Sequence, residues 1–294
     1  MRSKSAPWVL MAPFLLLFLF TMVVPIIIAI VQSFLTVRRS GLVGEDGAVS
    51  HFAGLENYLA ALTNQNFTES IARMLLFGVV QVTVMIVAST ILALLLESAS
   101  AKWPGLFRAA YFLPYGIPGV IATILWSFLY VPGLSPIVDV LGWVGIDVDF
   151  LGPSIVLWSI ANIVTWTYTG YNMLIIIAQL KAIPGDIYEA ARIDGAGPLR
   201  VVTSIQLPLI RPALMLTIIF SIIGTLQLFA EPQVLSTMSS GINSEYTPNL
   251  SAYAYAFQYN DLGMASAEAV IIALAAFILS AAALGISNRL GRKS

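Results

Sequence analysis

Six apolar segments, each about long enough to cross a bilayer, dominate this chain and restrict it to a membrane fold. A helix that crosses the hydrocarbon core needs roughly 20 mainly apolar residues. Of the 294 residues, 59% are hydrophobic and 10% charged, whereas a soluble domain carries about 25% charged residues. We therefore predict an all-α polytopic protein in the lipid bilayer, with one membrane domain over residues 1–294. The six predicted spans are Trp8–Phe34, Met74–Leu96, Ala109–Tyr130, Ile155–Leu180, Ala213–Ala230 and Ala265–Ile286.

The distribution of basic residues predicts how these spans are oriented. Lys and Arg in short loops favour the cytoplasmic side. With the N-terminus inside, 11 of the 14 Lys and Arg residues are cytoplasmic, and only Arg38, Arg39 and Arg73 are outside. We predict that both termini are cytoplasmic and that a polar loop, about residues 181–211, faces the cytoplasm between spans four and five. The first span is longer than the roughly 7 to 15 apolar residues of a signal-peptide core, so we expect it to stay as an anchor.

The residue types that are absent exclude several functions. The chain has no Cys and a single histidine, His51, which argues against thiolate chemistry, metal clusters and enzymatic catalysis. No GxxxxGK[ST] phosphate loop is present, so the chain does not hydrolyse ATP by that route. No basic run points to nucleic acid. We expect neither a metal nor a cofactor in this chain.

Helix-disturbing residues cluster in the third span. Pro114, Gly116, Pro118 and Gly119 stand within six positions. A proline inside a span frees a backbone carbonyl that a neighbour or a cavity must satisfy. The cluster predicts either a kink that serves helix packing or a break that lines a cavity.

The cytoplasmic loop has the signals of a short helix, a sharp turn and a second helix. Pro184 and Gly185 are typical of a helix start, and Gly195 favours a left-handed stop. Pro198 can then begin a further helical turn. We expect the first helix to expose the small residues Ala190–Ala191 to another protein. Helices under about 12 residues are marginal in water, so the loop implies a partner.

The same loop carries a family resemblance, together with several stretches elsewhere. Glu189-Ala190-Ala191, Asp194-Gly195-Ala196, Ile205, Leu207 and Pro208 resemble the signature loop of permease subunits in binding-protein-dependent ABC importers. The agreement extends to the carbohydrate-uptake branch of that family over nearly the whole chain. The further matching stretches are "FAGLENY" (52–58), "YFLPYGIPGVIATILWSFLY" (111–130), "GYNMLIIIAQLKAIPGDIYEAARIDGAG" (170–197) and "YAYAFQYNDLGMASA" (253–267).

This resemblance implies a role for the loop and a set of partners. The loop is expected to be a coupling helix that docks on a cytoplasmic ABC ATPase dimer, which binds ATP and Mg²⁺. The implied partners also include a second homologous permease and an extracytoplasmic solute-binding protein, in the plasma membrane of a bacterium or an archaeon. The implied docking residues are Tyr188, Glu189, Ala190, Ala191, Asp194, Gly195, Ala196, Ile205, Leu207 and Pro208.

Two polar stripes predict where a solute contacts the chain. Polar groups are costly inside a membrane, so they should face protein or a water-filled path. One stripe runs along span four and contains Asn162, Thr165, Thr169 and Asn172, with Trp166 at its edge. The other runs along span five, and it resembles the substrate-lining positions of the family, as does Tyr171. The predicted substrate residues are Tyr171, Phe220, Gly224, Gln227, Glu231, Asn162, Thr169 and Trp126.

The charge of the spans favours a neutral cargo. No Lys or Arg lies well inside any predicted span, whereas an anionic solute would normally call for a cation nearby. Glu268 near the start of span six has three alternatives: it hydrogen-bonds a sugar, pairs with the second permease, or lies just outside the hydrocarbon.

The leading hypothesis is a permease subunit of an ATP-driven importer for a neutral sugar or oligosaccharide. One alternative is a secondary transporter for a small polar solute, although neither an inverted repeat nor a central acid is evident. Another is an ABC permease for a non-sugar solute such as glycerol phosphate. A membrane scaffold that transports nothing would use the polar stripes only to hold helices together.

Overall fold

Helices form most of the structure. The computed structural model describes residues 6–39, 48–98 and 101–291. The helices are α1 (Ala6–Phe18), α2 (Val24–Ser33), α3 (Glu56–Thr63), α4 (Gln65–Leu96), α5 (Pro104–Phe112), α6 (Gly119–Leu129), α7 (Pro136–Trp143), α8 (Val156–Lys181), α9 (Gly185–Ile193), α10 (Pro198–Val201), α11 (Leu207–Leu209), α12 (Arg211–Leu226), α13 (Ala230–Leu235), α14 (Pro248–Phe257) and α15 (Leu262–Gly291). Short π-helical segments at Leu19–Val23 and Val202–Gln206 and a 3₁₀ turn at Leu113–Gly116 connect some of them.

Within the described residues, four helical segments are long and apolar enough to cross a membrane. They are Trp8–Ser33, Gln65–Leu96, Arg211–Leu235 and Leu262–Gly285, and the bent pair of α5 and α6 adds a fifth crossing if it counts as one. The four segments correspond in order to predicted spans one, two, five and six, and the bent pair corresponds to predicted span three. The multi-pass membrane architecture is therefore confirmed at this level.

The predicted fourth span corresponds to α8, the central helix of the bundle. It has 26 residues, and many of them are buried, but its polar stripes make it less apolar than the four segments above. It packs lengthwise against α4 and also contacts α5, α6 and α12. Protein rather than lipid covers most of its surface, which explains why the sequence tolerates polar side chains there.

The third span, for which the proline cluster predicts a kink or a break, is a sharply bent pair of helices. Its two halves, Pro104–Gly116 and Gly119–Leu129, meet at an angle of 99°. Ile117 adopts an extended conformation with ψ of 126°, because a residue before proline is disfavoured in the helical region. The two halves therefore run in different directions, and the 3₁₀ turn between them faces the bundle.

A β-hairpin corrects the all-α expectation. Strands β1 (Leu35–Arg39) and β2 (Ala48–Phe52) pair antiparallel, with Leu35 opposite Phe52. The hairpin follows α2 directly, and the side chain of Asn57 donates to the carbonyls of Ser33 and Leu35 at 2.9 Å each. These bonds satisfy the last carbonyls of the first span where its helix ends.

Close packing between helices fixes α8 against α5. A Cβ on Gly170 would overlap the carbonyl of Tyr111, so α5 crosses α8 at backbone contact. Two buried clusters lie along α8, one around Phe77 and Ile160 and the other around Met173 and Ile210 near the 185–209 segment. Closely packed apolar side chains therefore lie on both sides of the central cavity.

Candidate functional site

A central cavity of about 610 Å³ opens between α8, α12 and the break of the third span. Five of the eight predicted substrate residues line it: Tyr171, Phe220, Gly224, Gln227 and Glu231. The other lining residues are Gln81, Met85, Tyr115, Gly119, Val164, Tyr168, Asn172, Ser221, Thr225, Leu228, Phe229 and Ala230. The span-five stripe thus faces a single open space.

Three tyrosines form an aromatic wall in this cavity. The rings of Tyr115 and Tyr171 are stacked with centroids 4.6 Å apart, and Tyr168 meets Tyr115 edge-on at 5.8 Å. Tyr171 is one of the predicted residues, whereas Tyr115 and Tyr168 are not. The available signal for Tyr115 was its position between Pro114 and Gly116, inside the segment that breaks.

Polar groups stand at one end of the cavity, where α12 stops. Gln227 ends α12 and is exposed, and Glu231 lies in the first turn of α13. The carboxylate of Glu231 forms no hydrogen bond with a side chain of another described residue, and it lies 3.7 Å from the position of a Cβ on Gly119. Gly224 has open space in front of it. This end therefore combines a carboxylate, an amide and room for a ligand.

The position of the bend decides between the two interpretations of the proline cluster, a packing kink and a break that lines a cavity. Tyr115 and Gly119, on either side of the bend, both border the cavity. The break therefore lines a cavity and does more than kink a helix.

The span-four stripe divides among several environments. Gln81 Nε2 donates to Thr165 Oγ1 at 3.4 Å, and Ser89 Oγ donates to the carbonyl of Thr169 at 2.9 Å. Thr169 Oγ1 donates to the carbonyl of Thr165, so that hydroxyl is used within α8. Asn172 is buried against α4 and borders the cavity. Much of this stripe holds α8 against α4.

Three predicted substrate residues do not line the cavity. Thr169 bonds within the bundle, as described above. Trp126 and Asn162 belong to a separate pocket of about 340 Å³ at the end of α8 that is remote from the 185–209 segment. These three residues therefore stand apart from the other five, and their contact with a solute stays a prediction.

Glu268 is fully buried inside this chain. It accepts a hydrogen bond from Ser251 Oγ at 3.0 Å, which links α15 to α14. None of the three alternatives considered for this acid includes that contact. At the same end of the bundle, Arg73 Nη1 donates to the carbonyl of Tyr246 at 2.7 Å and stacks over its ring.

The 185–209 segment has the predicted helix, turn and helix. α9 begins after Pro184 and ends at Ile193. Gly195 has φ of +71°, its N–H donates to the carbonyl of Arg192, and the next N–H, that of Ala196, donates to the carbonyl of Ala191. This pair of bonds is a Schellman stop, which requires a left-handed residue at the position of Gly195.

The exposed surface of this segment differs from the prediction in one residue. Ala190 is exposed, but Ala191 is buried. Ile193 and Leu199 are instead 87% and 76% exposed.

The two halves of the segment are joined to each other and to the bundle. Gln206 Nε2 donates to Tyr188 Oη at 3.4 Å. Tyr188 and Leu207 pack against the buried cluster around Met173 and Ile210. Ile205 and Pro208 are half-buried, whereas Glu189 and Asp194 are exposed. Tyr188 therefore joins α9 to the buried cluster on α8.

Among the residues that the structure describes, no group of three or more His, Asp or Glu side chains comes together to hold a metal ion.

The fold and the cavity define a multi-pass membrane protein, and comparisons with known proteins give its family. The family described as "Binding-protein-dependent transport system inner membrane component" matches residues 85–292. The chain is 31% identical over 282 residues to lactose transport system permease protein LacF from Rhizobium radiobacter, covering 93% of this chain and 91% of that protein. The chain therefore belongs to the family of binding-protein-dependent transport system inner membrane components, and it is a transport subunit rather than an enzyme.

A second relative and one solved structure agree with this assignment. The chain is 28% identical over 284 residues to arabinooligosaccharides transport system permease protein AraP from Halalkalibacterium halodurans, covering 95% of this chain and 86% of that protein. Its fold matches a chain in the crystal structure of a bacterial ABC transporter that imports the acidic polysaccharide alginate. The TM-score is 0.81 at 20% identity, over 97% of this chain and 95% of that one. The inner membrane is accordingly the location of the protein.

Proposed function

We propose that this chain is one of two permease subunits in an ATP-driven importer for a neutral sugar or oligosaccharide. The observation that carries the proposal is the cavity between α8 and α12, where the tyrosine wall faces Gln227 and Glu231. The C–H face of a sugar ring packs on an aromatic ring, while amides and carboxylates hydrogen-bond its hydroxyls. The cavity offers both kinds of contact at once.

The names of the relatives support a sugar as cargo. They refer to lactose and arabinooligosaccharides, and a further relative of 28% identity is a trehalose permease from Mycobacterium tuberculosis. The lining residues of the cavity include one acid, Glu231, and no Lys or Arg. The carboxylate of Glu231 disfavours an anionic solute. We therefore infer a neutral saccharide, even though the structural neighbour imports an acidic one.

We further infer that one permease domain occupies residues 1–294 and has six spans, with α8 as the fourth and both termini in the cytoplasm of a bacterium or an archaeon. The excess of Lys and Arg on one side supports this orientation. The 185–209 segment then faces the cytoplasm. The exposed surface of α1 is covered by lipid and by the second permease.

The 185–209 segment is proposed to dock on a cytoplasmic ATPase dimer, which supplies the ATP and Mg²⁺ chemistry. Ile193, Leu199, Ala190 and Glu189 provide an exposed, mixed surface for that contact. Tyr188 and Leu207 connect the surface to the buried cluster on α8. When ATP closes the ATPase dimer, this connection moves α8 and α12 together and turns the cavity outward. A solute-binding protein outside the membrane then delivers the sugar.

Affinity purification tests the assembly. The tagged chain is extracted from native membranes in mild detergent, and the proteins that co-purify are identified. The proposal predicts recovery of an ATPase with a phosphate loop, a second permease and an external solute-binding protein. Recovery of the chain alone, from membranes in which it is folded and abundant, would contradict the proposal and favour an autonomous transporter.

A further inference from the structure

Polar side chains lie at both ends of the cavity. Gln227 marks one end, because Leu226 and Leu228 on either side of it belong to the buried cluster around Phe77 and Ile160. Since α12 begins next to the 185–209 segment and stops here, this end is the one remote from that segment.

Asn172 marks the opposite end. It lines the cavity, and the next residue belongs to the buried cluster around Met173 and Ile210 near the 185–209 segment. The α8 residues that line the cavity run from Val164 to Asn172, about 12 Å along the helix axis. The cavity is therefore longer than a single pyranose ring.

The side chain of Asn172 is 3% exposed, and its internal partner is a poor one. Asn172 Nδ2 donates to Met85 Sδ at 3.5 Å, and Gln81 Nε2 donates to the same sulfur at 3.5 Å. A thioether sulfur is only a weak acceptor. Asn172 Oδ1 accepts no hydrogen bond from a described residue and, unlike the fully buried Oε1 of Gln81, is open to the cavity. A nearly buried amide with unused hydrogen-bonding capacity calls for a ligand or a water.

We propose that Asn172 binds a second ring of the saccharide, so that the cavity holds its cargo at both ends. This inference rests on the proposed sugar import and adds a contact residue to that site. A hydroxyl oxygen is a better acceptor than sulfur, so Asn172 Nδ2 turns from Met85 to the sugar, and Oδ1 accepts from a hydroxyl. Tyr168 lines the cavity one helical turn before Asn172 on the same face of α8, and its ring packs on the same sugar ring.

The length of the saccharide decides how many of these contacts form. A monosaccharide reaches only one end of the cavity, whereas a disaccharide reaches both. Asn172 therefore contributes to selection by chain length as well as to affinity.

The test measures sugar binding to the complete permease–ATPase assembly in lipid nanodiscs, without the solute-binding protein. Equilibrium dialysis is carried out with radiolabelled lactose and trehalose and with their monosaccharides galactose and glucose. Asn172→Leu removes the amide at nearly constant volume. It is expected to weaken disaccharide binding about tenfold, the effect of losing one buried hydrogen bond. Gln227→Leu should do the same, and each monosaccharide should respond to only one of these two variants.

Met85→Leu separates a sugar contact from a structural role of Asn172. It removes the sulfur acceptor with little change of volume and leaves the Asn172 amide in place. Disaccharide binding should therefore stay native or become tighter. If Asn172 only joined α8 to α4, Met85→Leu and Asn172→Leu would weaken binding and lower the unfolding midpoint alike, which would overturn the inference.

Asn66→Leu is the matched control, because Asn66 is exposed on α4 and does not line the cavity. It should bind all four sugars as the native chain does. Native disaccharide binding in Asn172→Leu, together with weakened binding in Gln227→Leu, would refute the role of Asn172 and leave the proposed function standing. If the native assembly binds none of the four sugars, both fail.

Discussion

The rings of Tyr115 and Tyr171 lie nearly parallel, 16° between their planes and 4.6 Å between their centroids. Tyr115 belongs to the 3₁₀ turn where the third span breaks, and Tyr171 lies in the middle of α8. The stack therefore connects an irregular segment to the most buried helix. It also fixes one wall of the cavity that the proposed sugar would enter.

The first prediction concerns the ring of Tyr115. Tyr115→Leu should raise the KM for saccharide uptake several-fold, because an aromatic stacking partner contributes roughly 0.5–1.5 kcal/mol. Tyr115→Phe is the control and should retain most of the affinity, since the ring remains. Equal KM values for the two variants would show that the ring of Tyr115 does not contribute to substrate binding. Uptake by the complete importer is the measurement.

The amide of Gln227 is predicted to contact the cargo. Gln227→Leu should lower uptake about tenfold or change the preference among saccharides, because a buried hydrogen bond to a sugar hydroxyl is lost. Copurification of the partner subunits should persist. Gln233→Leu makes the same change at an exposed position of α13 outside the cavity and should have no effect. Native uptake kinetics in Gln227→Leu would remove this residue from the site.

Glu231 is predicted to exclude acidic sugars. Its carboxylate faces the cavity, and a second carboxylate on the substrate would be repelled at short range. Glu231→Gln should therefore allow an oligogalacturonide to compete with the neutral substrate, while the native importer ignores it. Competition assays with neutral and acidic oligosaccharides of equal length decide this point. Competition by the acidic sugar in the native importer would contradict the inferred selectivity.

The turn at Gly195 is predicted to be necessary for coupling. A β-branched residue at φ of +71° is strained by roughly 1–3 kcal/mol, so Gly195→Val should distort the Schellman stop and reduce transport per ATP hydrolysed. Gly197→Val is the matched control, because Gly197 has φ of −71° and open space around its Cα. Simultaneous assays of ATPase activity and uptake measure the coupling. Full coupling in Gly195→Val would refute the docking geometry.

The contact between α5 and α8 is predicted to limit stability. Gly170→Ala places a methyl group on the carbonyl of Tyr111, so the helices must separate, at a cost of about 3 kcal/mol or more. The variant should lose abundance in membranes or unfold at a lower temperature in detergent. Gly116→Ala adds the same methyl group where no atom lies within 4 Å and should behave like the native chain. A thermal scan that gives the same midpoint for both variants would show that α5 and α8 do not meet so closely.

Local signals predicted local features well. The stop at Gly195 follows from glycine after a short helix, because the Schellman bonds involve only neighbouring residues. Most spans follow from apolar length alone, since the bilayer sets one thickness for all of them.

Features that depend on neighbours were not accessible from the sequence. Ala191 is buried and its neighbour Ala190 is exposed, and no pattern within α9 predicts which of the two faces inward. Asn162 and Asn172 share one face of α8, but ten residues of helix separate them by about 15 Å. They consequently reach two different spaces. The sharp bend of the third span also depends on the helices around it. The prolines therefore predict where the span bends but not the angle of the bend.

The most direct test of the central claim is uptake into proteoliposomes that contain the complete assembly. The radiolabelled neutral saccharide that the copurified solute-binding protein binds is added with that protein on the extracytoplasmic side, and ATP is added on the side of the 185–209 segment. The account predicts accumulation that requires ATP, persists without any ion gradient and falls in Gln227→Leu. Accumulation driven by an ion gradient without ATP, unaffected by Gly195→Val, would contradict it and make the chain a secondary transporter.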